Sequence, residues 1–349
     1  MRLEVRNVFR AFGRKQVLFD VSFAVEQGDF CALIGPTGCG KTTLLRISDL
    51  LERPDRGKVL LDGVDCTGYR GRERTLVRRR ASMVMQRPFM LSGTVERNIR
   101  FGPEVRGKRL SSNELAEVME ATGLAGLEGR NARTLSGGEM QKLAIARAVV
   151  TRPELLFLDE PFNSVDQGAK PELRTLVGRL HRETGITVIM ATHDLADALA
   201  LSNRTVVLSG GRIMQAGETA SLFSNPANLF VASFIGMKNI LPVVFVNEGA
   251  IAGDLNIRLA ERGEGKGFIH IPPEVISISL ERPDSSQRNA FNAVVTHIEK
   301  TPMYDTVHLQ VKGLFIQSSV TRQSTEHLGL QRDSGVWISF KATSVRILG

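Results

Sequence analysis

Two short segments of this chain combine residue types and spacing that point to chemistry on a polyphosphate. The run Gly35-Pro36-Thr37-Gly38-Cys39-Gly40-Lys41-Thr42 places glycines where a backbone must turn its N–H groups toward phosphate oxygens, then supplies a cation and a hydroxyl. Lys41 would neutralise terminal phosphates, the Thr42 hydroxyl would ligate magnesium, and Thr43 follows them in the opening of a helix. The second segment is Leu155-Leu156-Phe157-Leu158-Asp159-Glu160-Pro161. Asp159 is suited to hold the metal through water, and Glu160 to polarise an attacking water as general base. Either segment by itself has a plainer reading, a glycine turn or a strand end with two solubilising carboxylates. Their occurrence in one chain favours phosphoryl chemistry.

The elements needed to position these residues are legible around them. Asp29 to Ile34 is a compact apolar run of strand type, the glycine loop follows, and Lys41 to Leu45 opens a helix. Leu155 to Leu158 fits a strand buried on both faces of a parallel sheet, with Asp159 at the carboxyl end where such sheets place ligands. Residues 1 to 27 or so alternate as an antiparallel β-subdomain with Phe12 at a turn. A helical insertion runs from Arg87 to Val150. Within it Ser111 or Ser112 can cap a helix through Gly123, and Ser136 a helix through Val150. Gly210-Gly211-Arg212 reads as a hairpin turn, and Thr219 to Ile235 is helical in pattern despite Pro226. From Met237 onward the pattern changes to short alternating strands, such as Gly267 to Ile271, Thr306 to Val311 and Val336 to Phe340. That pattern predicts a small all-β barrel.

Taken together, residues 1 to 236 resemble an ATP-binding cassette (ABC) ATPase subunit. The implied fold class is α/β, a P-loop NTPase cassette with a parallel sheet core, an antiparallel β-subdomain and a helical subdomain at about 87–150. A small all-β, oligonucleotide-fold-like domain follows at 237–349. The resemblance implies ATP and Mg2+ as cofactors and assigns roles residue by residue. Phe12 matches the aromatic that stacks on adenine. Gly35, Pro36, Thr37, Gly38, Cys39, Gly40, Lys41, Thr42 and Thr43 match the phosphate loop. Thr42, Gln86 and Asp159 match the magnesium ligands, and Glu160, His193 and Gln86 the catalytic set. Ser136, Gly137, Gly138 and Glu139 match the signature that contacts ATP bound to a second subunit. Asn163-Ser164-Val165-Asp166 matches the loop across the dimer seam, with Asp166 beside the ATP. Two positions depart from the usual pattern: Glu139 stands where glutamine is commoner, and Asn163 and Val165 where serine and alanine are common. Neither departure removes a phosphate-contacting group.

The last part of the chain resembles the molybdate/tungstate-binding module (TOBE/Mop) over about 286–349. Its matching turns are Arg288-Asn289 and Lys341-Ala342-Thr343-Ser344, which in that module present donors to a tetrahedral dianion. Several neutral donors and one cation can hold an oxyanion without a metal. Ile271-Pro272-Pro273-Glu274-Val275 resembles the accessory β domain of importer ATPases, although arginine is commoner at the position of Pro272.

Composition narrows the function classes. The 349 residues are 42% hydrophobic, enough for two cores, and no stretch approaches the apolar length of a membrane helix. Met1 to Val8 reads as an amphipathic strand rather than a signal peptide. Cys31, Cys39 and Cys66 have no metal-ligand spacing and fit free thiols in a reducing cytoplasm. The net charge of +8 lies mostly ahead of residue 237, much of it between Arg70 and Arg87. A solvated helix face is the favoured reading of that run over contact with an anionic membrane. Nucleic acid is not expected, for want of interleaved aromatics and a reading element. A DNA-repair cassette ATPase would need a long coiled coil between Gln86 and Ser136, where there is no room.

The expectation is a cytoplasmic, membrane-peripheral ATPase subunit of a prokaryotic importer for tungstate or molybdate. It would pair with a second copy of itself and two permease subunits, fed by an extracytoplasmic binding protein. The alternative is an importer of sulfate, polyamine or sugar whose C-terminal domain is only structural or regulatory.

Overall fold

The runs Phe30–Ile34, Leu155–Asp159 and Thr187–Thr192 are buried along their whole length, as strands covered on both faces must be. In the computed structural model, which describes residues 1–163, 165–283, 289–301 and 304–348, they form the middle of a six-stranded sheet. Its order is Arg212–Glu218, Arg204–Ser209, Phe30–Ile34, Thr187–Thr192, Leu155–Asp159, Ala81–Val84. All neighbours run parallel except the hairpin strand Arg212–Glu218, which the Gly210-Gly211 turn folds back antiparallel. Both turn glycines have positive φ, 53° and 74°, as a two-residue hairpin requires. An antiparallel sheet of Lys15–Val25, Leu3–Phe12, Arg56–Leu61 and Val64–Asp65 carries Phe12 at the end of a strand.

The helical insertion comprises Val95–Val105, Ser112–Ala121 and Gly137–Val149. Ser111 and Ser136 cap the second and third, each in a reciprocal capping box with the glutamate three residues on. The expected helix Thr219 to Ile235 is instead two, Thr219–Ser224 and Leu229–Phe234. Pro226 has no N–H to continue the first, and Asn228 restarts the second by accepting from Val231 N at 3.0 Å.

Part of the basic run is tied to the rest of the fold by hydrogen bonds. Its helix, Gly71–Arg78, buries no residue and is fastened by arginines to the end of the helix Lys41–Ser48. Arg74 donates to the carbonyls of Leu50 and Leu51, and Arg78 Nε to that of Asp49 at 3.2 Å. Asp49 is the C-cap of the helix Lys41–Ser48, whose last carbonyls lack intrahelical donors, and Leu50 and Leu51 lie just beyond it. Arg80 forks onto Glu154 at 2.6 Å and reaches Asp62 at 2.7 Å. Burial pushes the Asp49 carboxyl up to about 6 despite Arg78.

The chain divides into two compact units, Met1–Ser224 and Asn225–Gly349, so the division falls ahead of the change in pattern at Gly236. The second unit is mainly β, with the short helices Leu229–Phe234 and Arg322–His327, and its sheets form two similar halves. One five-stranded sheet runs Leu255–Arg258, Gly249–Ala252, Ile240–Val246, Lys266–His270, Arg346–Leu348; the other runs Leu314–Val320, Asp305–Val311, Asn289–Lys300, Gly335–Phe340, Ser277–Ser279. In each half a single 3-10 turn, Pro273–Val275 or Ala342–Ser344, sends the final short strand into the other sheet. Thus Ile278 pairs with Ile338, and Ile347 with Ile269. Both sheets contribute to one core that includes Ile257, Ile269, Val295, Leu309 and Phe340. Among the described residues no helix is long and apolar enough to cross a membrane.

Candidate functional site

The glycine loop connects the strand Phe30–Ile34 to the helix Lys41–Ser48, and its shape depends on two close approaches. A Cβ on Gly35 would sit 2.0 Å from the Leu208 carbonyl oxygen, and one on Gly40 2.8 Å from Leu18 Cδ2. Gly40 also has φ 110°, a backbone that side chains resist. Lys41 is buried, and its Nζ donates to the carbonyls of Gly35 at 2.7 Å and Pro36 at 3.2 Å. Thr42 Oγ1 donates to Asp159 Oδ1 at 3.0 Å, joining the loop to the carboxyl end of the strand Leu155–Asp159. Asp159 is 3% exposed, and burial raises its pKa. A hydroxyl beside a desolvated carboxylate is an oxygen donor set suited to a hard divalent cation.

Glu160 leaves the strand with φ 47°, strained for a non-glycine residue, and is held there by its N–H on the Ala191 carbonyl at 2.9 Å. Three side chains converge on its carboxylate. Asn163 Nδ2 donates to Oε2 at 2.9 Å, His193 Nδ1 lies 2.9 Å from the same oxygen, and Lys41 Nζ is 3.7 Å from Oε1. His193 follows the buried strand Thr187–Thr192 and precedes a helix capped by Asp194, so two elements fix its place. These groups open on one cleft of about 450 Å³, lined by Phe12, Thr37, Gly38, Gly40, Lys41, Thr42, Thr43, Gln86, Glu160, Asn163 and His193. Lys15 and Val17 also line it and were missed in the sequence; they lie on the strand that begins after the turn following Phe12. Phe12 is 46% exposed, with the Arg10 guanidinium 4.5 Å from its ring centroid. Cys39 sits inside the loop, buried, its thiol pKa raised by that burial.

The signature residues are elsewhere. Ser136 caps the helix Gly137–Val149, and neither it nor Gly137, Gly138 or Glu139 lines this cleft. A Cβ on Gly138 would meet Ala169 Cβ at 3.5 Å and Val165 Cγ1 at 3.8 Å, so the signature backs onto the stretch that follows Asn163. Asp166, in that stretch, is exposed and its carbonyl accepts from Ala169 N at 3.0 Å. Ser164 lies outside the described residues.

Of the oxyanion candidates in the second unit, Arg288 lies outside the described residues. The Asn289 side chain is buried, accepting from Arg258 N at 2.7 Å and donating to Arg258 O at 3.0 Å, so its side-chain amide serves the fold. Lys341 and Thr343 are exposed around the turn Ala342–Ser344, where Ser344 N donates to the Lys341 carbonyl at 3.0 Å.

Comparison with known proteins agrees with this geometry. Residues 18–163 match the ABC transporter family and residues 285–347 the TOBE domain family. The molybdate/tungstate import ATP-binding protein WtpC of Pyrococcus horikoshii is 36% identical over 99% of both chains. The sulfate/thiosulfate import ATP-binding protein CysA of Gloeobacter violaceus is 40% identical over 69% of this chain and 70% of its own. The Fe(3+) ions import ATP-binding protein FbpC of Escherichia coli K12 is 33% identical over 92% and 91%. Among solved structures, cbiO1 of Clostridium perfringens superimposes with a TM-score of 0.57 at 26% identity, over 64% of this chain and 90% of that one. A dimeric ATP-binding cassette in a post-hydrolysis state bound to ADP and Pi gives 0.56 at 25% identity, over 62% and 98%.

Proposed function

The chain belongs to the ATP-binding proteins of ABC importers, and on the premise that it is an ATPase coupled to transport we propose that two copies share two ATP sites. The observation that carries this reading is spatial: Lys41, Thr42, Glu160 and His193 line one cleft, with Asp159 bonded to Thr42 behind it, while the signature helix beginning at Ser136 does not line it. A helix N-terminus is an anion site in search of an anion, and a second copy packed head to tail supplies one. In this assignment Phe12 stacks on adenine, the glycine loop and Lys41 hold the phosphates, and Glu160 takes the proton of the attacking water. Asn163 and His193 orient the Glu160 carboxylate. Thr42, Asp159 and Gln86 would hold Mg2+, which when bound supplies charge stabilisation to the transferring phosphoryl group. Closure of the two copies then depends on ATP, and hydrolysis reopens them.

Membership of the family supports a reading of the partners. Two permease subunits in the membrane would receive this motion, with the chain on their cytoplasmic face and an extracytoplasmic binding protein delivering solute. A second cleft supports the docking: beside Gln86 it is lined by Met83, Met85, Pro88, Phe89, Phe101 and Arg147, and Phe89 is 74% exposed. The cargo we infer is an oxyanion, tungstate or molybdate, supported by a relative of that name that matches over 99% of the chain. Sulfate is the second reading, favoured by the 40% identity of the sulfate/thiosulfate protein, which matches over 69%.

Substitution of Glu160 by Gln tests the site. The variant should bind ATP, hydrolyse it at least about a hundredfold more slowly, and accumulate as an ATP-dependent dimer in light scattering. Undiminished turnover would remove Glu160 from its role, and a monomer at saturating ATP would remove the shared site.

A further inference from the structure

Both carboxylate oxygens of Glu139 are engaged. Oε2 accepts from the Ser136 N–H at 2.7 Å, while the Ser136 hydroxyl accepts from the Glu139 N–H at 3.3 Å. Oε1 accepts from Arg130 Nη1 at 3.0 Å, and the other arm of the same guanidinium donates to the Thr134 carbonyl at 2.9 Å. Lys142, one turn along the helix, is drawn instead to Glu172 at 2.6 Å. Arg130 is therefore the cation held directly against Glu139 among the described residues. The backbone of Arg130 is fixed in turn, because its carbonyl accepts from Val95 N at 3.0 Å at the start of another helix.

These contacts meet where charge matters. A carboxylate at the third position of a helix is stabilised by the positive helix end and completes the capping box. The same helix end, on the two-copy reading above, must accept the phosphates of a second copy's ATP. Two anions directed at one helix end repel, the more so at low salt. A glutamine would make the same backbone contact without the charge, so the glutamate needs a compensating cation. Arg130 satisfies that need with a bidentate-capable guanidinium rather than a mobile ammonium.

We propose that Arg130 is a positioning residue of the shared ATP site: it cancels the charge of Glu139, so that the glutamate can hold Ser136 in register without repelling the incoming triphosphate. The inference rests on the shared-site reading and adds a residue to it. Ser136 is then aimed by a strong acceptor, and the signature presents no net negative charge to ATP.

The test is a cycle in the full-length chain carrying Glu160→Gln, reading the ATP concentration that gives half-maximal dimer. Arg130→Gln keeps a side-chain amide within reach of the Thr134 carbonyl but removes the charge, and should raise that concentration about tenfold at low salt, less at high salt. Arg130→Lys should recover most of the loss. With Glu139→Gln already present, adding Arg130→Gln should change the value by less than about twofold relative to Glu139→Gln alone. An equal effect of Arg130→Gln in both backgrounds would mean Arg130 is only structural, and no effect in either would mean it is idle; both overturn the proposal. A chain that fails to dimerise with ATP when Arg130 and Glu139 are intact would instead remove the shared site, and the inference with it.

Discussion

At the scale of single residues, Glu160 shows how a site is assembled from distant parts. Its backbone sits at φ 47°, and its carboxylate meets Asn163, His193 and Lys41. The types of Glu160 and His193 were readable from their motifs, and Asn163 was noticed only as a departure from a common serine. Its 2.9 Å contact gives that departure a role, since an amide can donate to a carboxylate where a shorter serine would not reach in the same way. Replacing Asn163 by Ala should lower kcat about tenfold and leave KM for ATP within about twofold, because the lost bond orients the base rather than binding nucleotide. A rise in KM with kcat unchanged in steady-state assays would place Asn163 in ATP binding instead. Asn289, named through the resemblance of its turn to an oxyanion module, has its side-chain amide committed to two bonds with Arg258.

At the scale of elements, the helix Gly71–Arg78 buries no residue fully, sets Val77 against the core and is otherwise fastened by polar contacts. Asp49 is part of that fastening and carries an energetic penalty. The folded protein keeps a proton on Asp49 up to about pH 6, whereas in the unfolded chain an aspartate releases it near pH 4. Ionised Asp49 therefore costs stability that grows as pH rises through that window and is absent below it. Asp49→Asn should stabilise the fold by about 2 kcal/mol above pH 6, with the advantage vanishing toward pH 4. Urea titrations of both proteins at several pH values check this, and a stability difference that does not change with pH would show that the carboxyl does not titrate there. The capping boxes at Ser111 and Ser136 were legible in sequence because each spans only four residues of backbone. The break at Pro226 was not read from the sequence, because the helical pattern on either side concealed it.

At the scale of the whole molecule, the second unit carries the question of cargo. Its two halves exchange their last strands, so the segment from Asn289 onward is closed only with Ser277–Ser279 and Lys266–His270. Calorimetric titration of the full chain with tungstate, molybdate and sulfate should give saturable heat with the first two and none with sulfate. No heat with any of them would sink the oxyanion reading of this unit, and heat with sulfate alone would favour the second reading of the cargo. The sequence by itself determined whatever depends on neighbours along the chain: the glycine loop, the caps, the Gly210-Gly211 hairpin, the alternation of strands. These follow from local backbone sterics and from hydrogen bonds a few residues apart. Only the tertiary structure decided that Thr42 meets Asp159, that three elements close on Glu160, that Arg130 lies against Glu139, and that each half of the second unit completes the other. Those meetings are set by which buried strands lie side by side and by where each backbone turns at a strand's end, and no local pattern encodes them.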